Sequence, residues 1–127
     1  IMLGVNEMGY RFDKIKEKYK ELLSFIKQKQ PDTTIFLQAN LHVTGERSNS
    51  DDTFNNHSIN KLNKALSKMA DNKKIYYLDV NPIFDDENGN LSADKSEDNT
   101  HLYAKYYEVW GKWIVSQSAS LTKEELH

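Results

Sequence analysis

The feature that most constrains the fold of this chain is an alternation of short apolar runs with longer amphipathic stripes. Two runs rich in β-branched and aromatic residues, 34–39 and 75–80, have the composition of strands buried on both faces. Around them, apolar residues recur every three or four positions, which is the period of a helix that buries one face. The order strand, helix, strand predicts a parallel sheet with crossover helices.

Three helices are predicted from these stripes. The first covers about residues 11–29 and ends before Pro31, because proline cannot continue a helix. The apolar stripe of the second consists of Ile59, Leu62, Leu66 and Met69. The third begins near Tyr103, and its stripe consists of Tyr103, Tyr106 or Tyr107, Trp110 and Ile114.

Two further segments complete the predicted organisation. Ile1-Met2-Leu3 reads as the last residues of another buried strand, and the polar stretch 44–56 has no periodicity and is predicted to be a loop. The chain of 127 residues is long enough for one domain and too short for two. We therefore expect a single α/β domain that comprises residues 1–127.

Composition excludes several classes of function. The formal net charge is -2, and lysines alternate with acids between Asp13 and Lys20, so no face is expected to suit a phosphate backbone. The chain has no cysteine, which excludes disulfides and thiolate metal sites. No apolar run approaches the roughly 20 residues of a membrane span. We expect no nucleic-acid partner, no membrane span, and no metal or other cofactor.

Two short motifs at opposite ends of the chain carry the candidate chemistry. Gly4-Val5-Asn6-Glu7 follows the first predicted strand, and Asp98-Asn99-Thr100-His101-Leu102 lies in the loop before the last helix. In open parallel sheets, ligands bind at the carboxyl ends of the strands, where these loops lie. An Asp three residues before a His can orient that His as a general base. We therefore expect Asp98, His101 and Asn6 to meet at one edge of the sheet.

Together the two motifs resemble the SGNH hydrolases, also called GDSL esterases and lipases. Gly4-Val5-Asn6-Glu7 is similar to the Gly-x-Asn-Asp block of that family, and Asp98-Asn99-Thr100-His101-Leu102 to its Asp-x-x-His block. The order of helices and strands between the motifs also fits. The resemblance implies a three-layer, flavodoxin-like α/β/α fold and hydrolysis of an ester.

The same resemblance implies a role for each site residue. His101 would take the proton from a serine hydroxyl and later deliver it to the leaving alcohol. Asp98 would accept a hydrogen bond from the other ring nitrogen and so fix the tautomer. The side-chain amide of Asn6 would donate to the oxyanion, although an Asn can also satisfy backbone groups of a turn. The substrates implied are small acyl esters, such as acetylated carbohydrates.

Two departures from the family pattern shape the expectation. Glu7 stands where the family usually has Asp. The family's serine and an oxyanion Gly precede the position of Gly4 and have no counterpart here. The following serines do not follow a predicted strand in a nucleophile turn: Ser24, Ser48, Ser50, Ser67, Ser92, Ser96, Ser116, Ser118 and Ser120. We expect the C-terminal part of a larger hydrolase, inactive alone, and the alternative is a non-catalytic interaction domain or a decayed hydrolase.

A missing N-terminal part has two further consequences. If the family's strand order 2-1-3-4-5 applies, the first strands are absent, and the exposed sheet edge invites association with a second copy or with the missing part. The first residue is Ile1, so an upstream signal would make the protein secreted or periplasmic, and the compartment stays open.

Three other features have competing interpretations. His42 follows a predicted strand at the same sheet edge, so it either touches substrate or is solvated or bonded within its loop. The segment from Asp85 to Gly89 hints at a calcium loop, but Phe84 occupies the first ligand position, which favours an acidic turn. Aromatic residues at strand or helical spacing are usually core rather than a carbohydrate platform. This applies to Tyr76, Tyr77, Tyr106, Tyr107, Trp110 and Trp113.

Overall fold

The computed structural model describes residues 12–52 and 54–125. The elements in chain order are α1 (Phe12–Lys29), β1 (Ile35–Gln38), α2 (Gly45–Ser50), α3 (Asn56–Ser67), β2 (Ile75–Leu78), α4 (Asn81–Phe84) and α5 (Ala104–Glu125), with a single 3₁₀ turn at Ala93–Lys95 between the last two. The three long helices and the two strands are those predicted from the sequence. Ile1-Met2-Leu3, the other predicted strand, lies outside the described residues.

The two strands form a parallel pair, as their apolar composition predicted. Ile35 lies opposite Ile75, and Gln38 lies opposite Leu78. Parallel strands need a crossover connection, and α3 provides it. Both strands therefore end at the same edge of the sheet, which is where the candidate loops were expected.

Helices cover both faces of the strand pair. On one face, α1 and α3 bury their apolar stripes against the inward side chains of the strands, in a core of Ile15, Tyr19, Leu23, Ile35, Leu37, Val43, Ile59, Leu62, Leu66 and Ile75. On the other face, a second core gathers Leu41, Val80, Phe84, Leu91, Leu102 and Trp110 under α5. Trp110 Nε1 donates to Gln38 Oε1 over 3.1 Å, so α5 is fixed to the carboxyl end of β1. The result is a three-layer α/β/α arrangement.

The prediction of a loop over residues 44–56 was wrong in part, because α2 lies within it. The Thr44 hydroxyl caps this helix by accepting from Arg47 N over 3.4 Å. None of the six residues of α2 is buried, and none is a large apolar residue. A helix without an apolar stripe has no period to detect, which is why the sequence pattern missed it. Ser48 and Ser50 therefore lie on a helix rather than in a loop.

The aromatic residues of α5 are core only on one side of the helix. Trp110 is buried, and Tyr106 and Trp113 pack against the second core. Tyr107 is 46% exposed and stacks on Trp110 with ring centroids 6.0 Å apart. Tyr103, predicted to belong to the buried stripe, precedes the helix and is 41% exposed; its backbone N–H donates to the Lys95 carbonyl. The rings of Tyr103 and Tyr107 are therefore both partly exposed near the start of α5.

The described ranges contain neither a membrane-spanning helix nor a cluster of metal-binding side chains. None of the helices in residues 12–52 and 54–125 is long and apolar enough to cross a membrane. In the same ranges, no three His, Asp or Glu side chains are arranged as a metal-binding group.

Candidate active site

The segment that follows β1, residues 40–44, is buried and lies outside the strand pair. Buried backbone groups need hydrogen-bond partners, and here side-chain amides supply them. Three asparagine oxygens accept from its backbone N–H groups at 2.8 Å each: Asn63 from Asn40, Asn81 from His42 and Asn56 from Val43. An amide can accept and donate at once, and the same three side chains also donate to carbonyls of this segment. The segment is thereby fixed at the carboxyl edge of the strands.

The Asp98–His101 loop, residues 98–101, brings the two predicted catalytic side chains into direct contact. His101 Nδ1 lies 2.8 Å from Asp98 Oδ2. The other carboxylate oxygen, Oδ1, accepts from the backbone N–H groups of Thr100 at 2.9 Å and His101 at 2.7 Å. This is the local turn that an Asp side chain favours, and it fixes the carboxylate against the imidazole. Three residues of separation are therefore enough for the contact.

The turn depends on an unusual backbone conformation at Asn99, whose φ is 66°. Asn enters this left-handed region more readily than most residues. The carbonyl of Asn99 accepts from the buried Thr44 N–H over 3.1 Å. The loop is thus attached to the fixed segment that follows β1.

The hydrogen bonds around Asp98 determine its charge. They hold the pKa of this carboxyl well below its usual value, with the backbone N–H of His101 contributing most, followed by the His101 side chain and the Thr100 N–H. Asp98 is therefore a carboxylate at any pH near neutrality. A carboxylate only accepts, so His101 Nδ1 must carry a proton.

His101 presents its second ring nitrogen to solvent. The imidazole is 65% exposed and the Asp98 side chain 55%. With a proton on Nδ1, neutral His101 has its lone pair on Nε2, and within the described part of the chain Nε2 has no hydrogen-bond partner. This is the state in which a histidine can accept a proton from an incoming hydroxyl.

Ser96 contacts this pair, but on the side of the Asp98 carboxylate and not at His101 Nε2. Ser96 is buried, and its hydroxyl contacts the His101 carbonyl oxygen at 2.6 Å and Asp98 Oδ1 at 3.1 Å. It therefore supports the carboxylate and does not face His101 Nε2. Asn6 and the rest of Gly4-Val5-Asn6-Glu7 lie outside the described residues, so the oxyanion donor stays a prediction.

A second histidine–aspartate pair, not predicted from the sequence, joins segment 40–44 to the residue that follows α4. His42 Nδ1 is 2.8 Å from Asp85 Oδ2, and Nε2 is 2.6 Å from Asn60 Oδ1. The His42 side chain is 10% exposed and that of Asp85 12%. The expectation that His42 is solvated or bonded within its own loop was wrong, because its side chain is buried and its partners belong to other elements. The partners lie on α3 and after α4, far apart in the chain, so no local motif indicates them.

The acidic segment after α4 is a turn, as the sequence favoured. Asp86 Oδ1 accepts from the backbone N–H groups of Asn88 and Asn90, and Gly89 has a positive φ of 79°. A left-handed conformation of this kind suits glycine. Asp85 belongs to the His42 pair instead, so the first two acids of the segment have different partners.

A parallel α/β/α domain with an oriented, exposed His–Asp pair at its carboxyl edge defines the architecture of an SGNH-type hydrolase. The family model of the GDSL-like lipase/acylhydrolase family matches residues 1–109, and the chain belongs to this family.

A solved structure from Streptococcus pneumonia, provisionally described as a platelet activating factor, has the same fold. It superposes with a TM-score of 0.77 at 20% sequence identity over 94% of this chain. The chain spans 57% of that protein's length. This chain also has a local similarity to the glutamyl-tRNA reductase of Clostridium beijerinckii, with 38% identity over 47 residues. The matched stretch is 37% of this chain and 12% of that protein.

Proposed function

We propose that this chain supplies the general base and its orienting carboxylate to a serine esterase. The observation that carries the proposal is the Asp98–His101 hydrogen bond, which leaves His101 Nε2 exposed and able to accept a proton. Membership of an acylhydrolase family supports the same chemistry. Asn6 is assigned to the oxyanion hole by its place in the first motif.

The reaction follows from the roles of these groups. His101 Nε2 takes the proton of a serine hydroxyl as its oxygen attacks the acyl carbonyl, and the negative charge moves to the carbonyl oxygen, to which the amide of Asn6 donates. The imidazolium, stabilised by the Asp98 carboxylate, then protonates the leaving alcohol. A water molecule, deprotonated by His101, then attacks the acyl carbon, the bond to the serine oxygen breaks, and the imidazolium returns its proton to that oxygen as the carboxylic acid is released.

We place the nucleophilic serine outside residues 1–127, which makes this domain the C-terminal part of the whole hydrolase. Ser96 is turned toward the carboxylate, and the hydroxyl of Ser48 accepts from the backbone N–H of Asn56 at the start of α3. Ser67 and Ser92 are hydrogen-bonded within their own segments. The chain spans 57% of the length of its structural neighbour, which agrees with a missing part. We expect this chain alone to lack esterase activity, because base and oxyanion donor cannot form an acyl-enzyme without a nucleophile.

The proposed substrates are small acyl esters, including acetylated carbohydrates. The exposed pair allows an ester carried on a large molecule to reach His101. Tyr103 and Tyr107 present exposed rings just after the pair, and such rings suit stacking on the apolar face of a sugar.

The test is hydrolysis of p-nitrophenyl acetate by the protein extended at its N-terminus to include the serine block. His101→Ala should lower the rate by about 10⁴-fold or more, since the base is lost. His57→Ala is the matched control, because His57 is an exposed histidine in the first turn of α3, and it should leave the rate unchanged. An active protein that tolerates His101→Ala would refute the assignment.

We further propose that the missing N-terminal part associates through the sheet edge on the side of β1, next to the strand predicted for Ile1-Met2-Leu3. On this side, a largely apolar groove of about 450 Å³ runs beside β1, between Phe25 of α1 and Phe36 of β1. Phe25 is 57% exposed there. Co-expression of the two parts should give a one-to-one complex in light scattering. A chain that remains monomeric with the N-terminal part present would contradict the proposed association. A homodimer would indicate self-association instead.

A further inference from the structure

His42 is the one histidine in the described ranges that lies almost fully inside the protein, and the proposed reaction does not use it. Both ring nitrogens face oxygens: Asp85 Oδ2 at 2.8 Å and Asn60 Oδ1 at 2.6 Å. Carboxylate and amide oxygens only accept, so both hydrogen bonds exist together only when both nitrogens carry protons. With the oxygen of the Asn60 amide turned toward Nε2, the geometry is that of a buried imidazolium.

The charges around His42 favour this protonated state. Burial alone would lower the pKa of the imidazole, but the hydrogen bonds from Asp85 and Asn60, with the nearby negative charges of Asp85 and Asp79, raise it above 6.5. The carboxylates follow α4 and β2, and α3 contributes only the neutral Asn60. Among the described residues, Asp85 Oδ1 is buried without a hydrogen-bond partner, and the neighbouring His42 ring compensates for this side chain.

His42 is connected to the proposed catalytic pair by backbone hydrogen bonds. It belongs to the buried segment 40–44, and its own N–H donates to Asn81 Oδ1 over 2.8 Å. Two residues further on, Thr44 N–H donates to the carbonyl of Asn99 over 3.1 Å. Asn99 stands between Asp98 and His101, in the left-handed conformation that closes their turn.

We propose that protonated His42 is a positioning residue, which holds the Asp98–His101 loop in place through segment 40–44. When His42 loses a proton, one ring nitrogen presents a lone pair to an oxygen at hydrogen-bond distance, and the two repel. The His42 side chain then loses its hydrogen bond to Asn60 or to Asp85, and the contact from Thr44 to Asn99 weakens. The catalytic meaning of this rests on the proposed function, whereas the coupling itself does not.

The sign of the pH dependence follows from the raised pKa. The folded state binds the proton of His42 more tightly than the unfolded state, so its contribution is fully present below about pH 6.5 and is lost as pH rises through the folded-state pKa. The loop should therefore loosen on the alkaline side.

The experiment is a pH titration of the ¹⁵N-labelled chain by NMR, from about pH 5.5 to about pH 9. The ring resonances of His42 report its own protonation, and hydrogen-exchange protection of the Thr44 amide reports the contact to Asn99. We expect this protection to fall about tenfold as His42 loses its proton. The ring resonances of His101 should shift at the same midpoint as those of His42.

Two variants test the cause. Asp85→Asn removes the charge that favours the imidazolium, so the midpoint of His42, the loss of Thr44 protection and the shift of the His101 resonances should all move together to lower pH. His57→Gln, at an exposed histidine of α3, should leave all three unchanged. Thr44 protection or His101 signals that do not follow the His42 midpoint would overturn the proposal, and the unmodified chain decides this if Asp85→Asn fails to fold. Coupling without esterase activity in the extended protein would refute only the proposed function.

Discussion

The two histidine–aspartate pairs of this domain have the same contact and different surroundings. In each, an imidazole Nδ1 lies 2.8 Å from a carboxylate Oδ2. The side chains of His101 and Asp98 are 65% and 55% exposed, whereas those of His42 and Asp85 are 10% and 12% exposed. The exposed pair leaves Nε2 free in the described chain, and in the buried pair an amide oxygen occupies it. The comparison shows that the free nitrogen, not the ion pair, distinguishes a candidate base from a structural histidine.

The largest expected effect is a loss of esterase activity when the exposed pair is altered. In the extended protein, Asp98→Asn should lower kcat by about 10⁴-fold, because an amide no longer enforces the tautomer with a proton on Nδ1. Steady-state hydrolysis of p-nitrophenyl acetate measures it. Asp94→Asn is the control, since Asp94 is an exposed acid of the same region that contacts only Ser92 and Lys95. Equal rates for the two variants would remove the catalytic distinction between the pairs.

For stability, we expect the buried pair to matter more than the exposed pair. Asp85→Ala leaves a buried imidazolium without its carboxylate and is expected to lower the free energy of unfolding by about 3 to 5 kcal/mol. Asp98→Ala removes only a solvent-exposed turn and should cost about 1 kcal/mol. Urea unfolding followed by circular dichroism gives both values. If Asp98→Ala proves the more damaging change, burial is not what sets the strength of these pairs.

The smallest expected effect is a change in stability on substitution of Asn99, whose backbone closes the turn of the exposed pair. Asn99→Gly should change stability by no more than about 0.5 kcal/mol, because glycine adopts a positive φ without strain. Asn99→Val should cost about 1 to 2 kcal/mol, since a β-branched residue is strained there. Thermal unfolding of the three proteins ranks them. A valine variant as stable as the glycine variant would show that the loop is not held in the left-handed conformation.

The same contrast explains what the sequence could predict. Asp98 and His101 are three residues apart, so a local turn joins them and a short motif reveals them. The partners of His42 come from α3 and from the turn after α4, and only the folded sheet brings them together. Periodicity likewise predicted the three long helices, which bury apolar stripes, and apolar composition predicted both described strands. It missed α2 and the exposure of Tyr103, because neither depends on an apolar period.

The asparagines around segment 40–44 limit which residues evolution can place beneath the site. Asn56, Asn63 and Asn81 each accept from and donate to this segment, and an amide of this length is the only side chain that does both at these distances. Aspartate of the same size lacks the donor, leucine lacks both groups, and glutamine is one carbon too long. These positions therefore carry more sequence information than their distance from the chemistry suggests. We expect related sequences to keep amides at these three positions, in addition to the motif of the exposed pair.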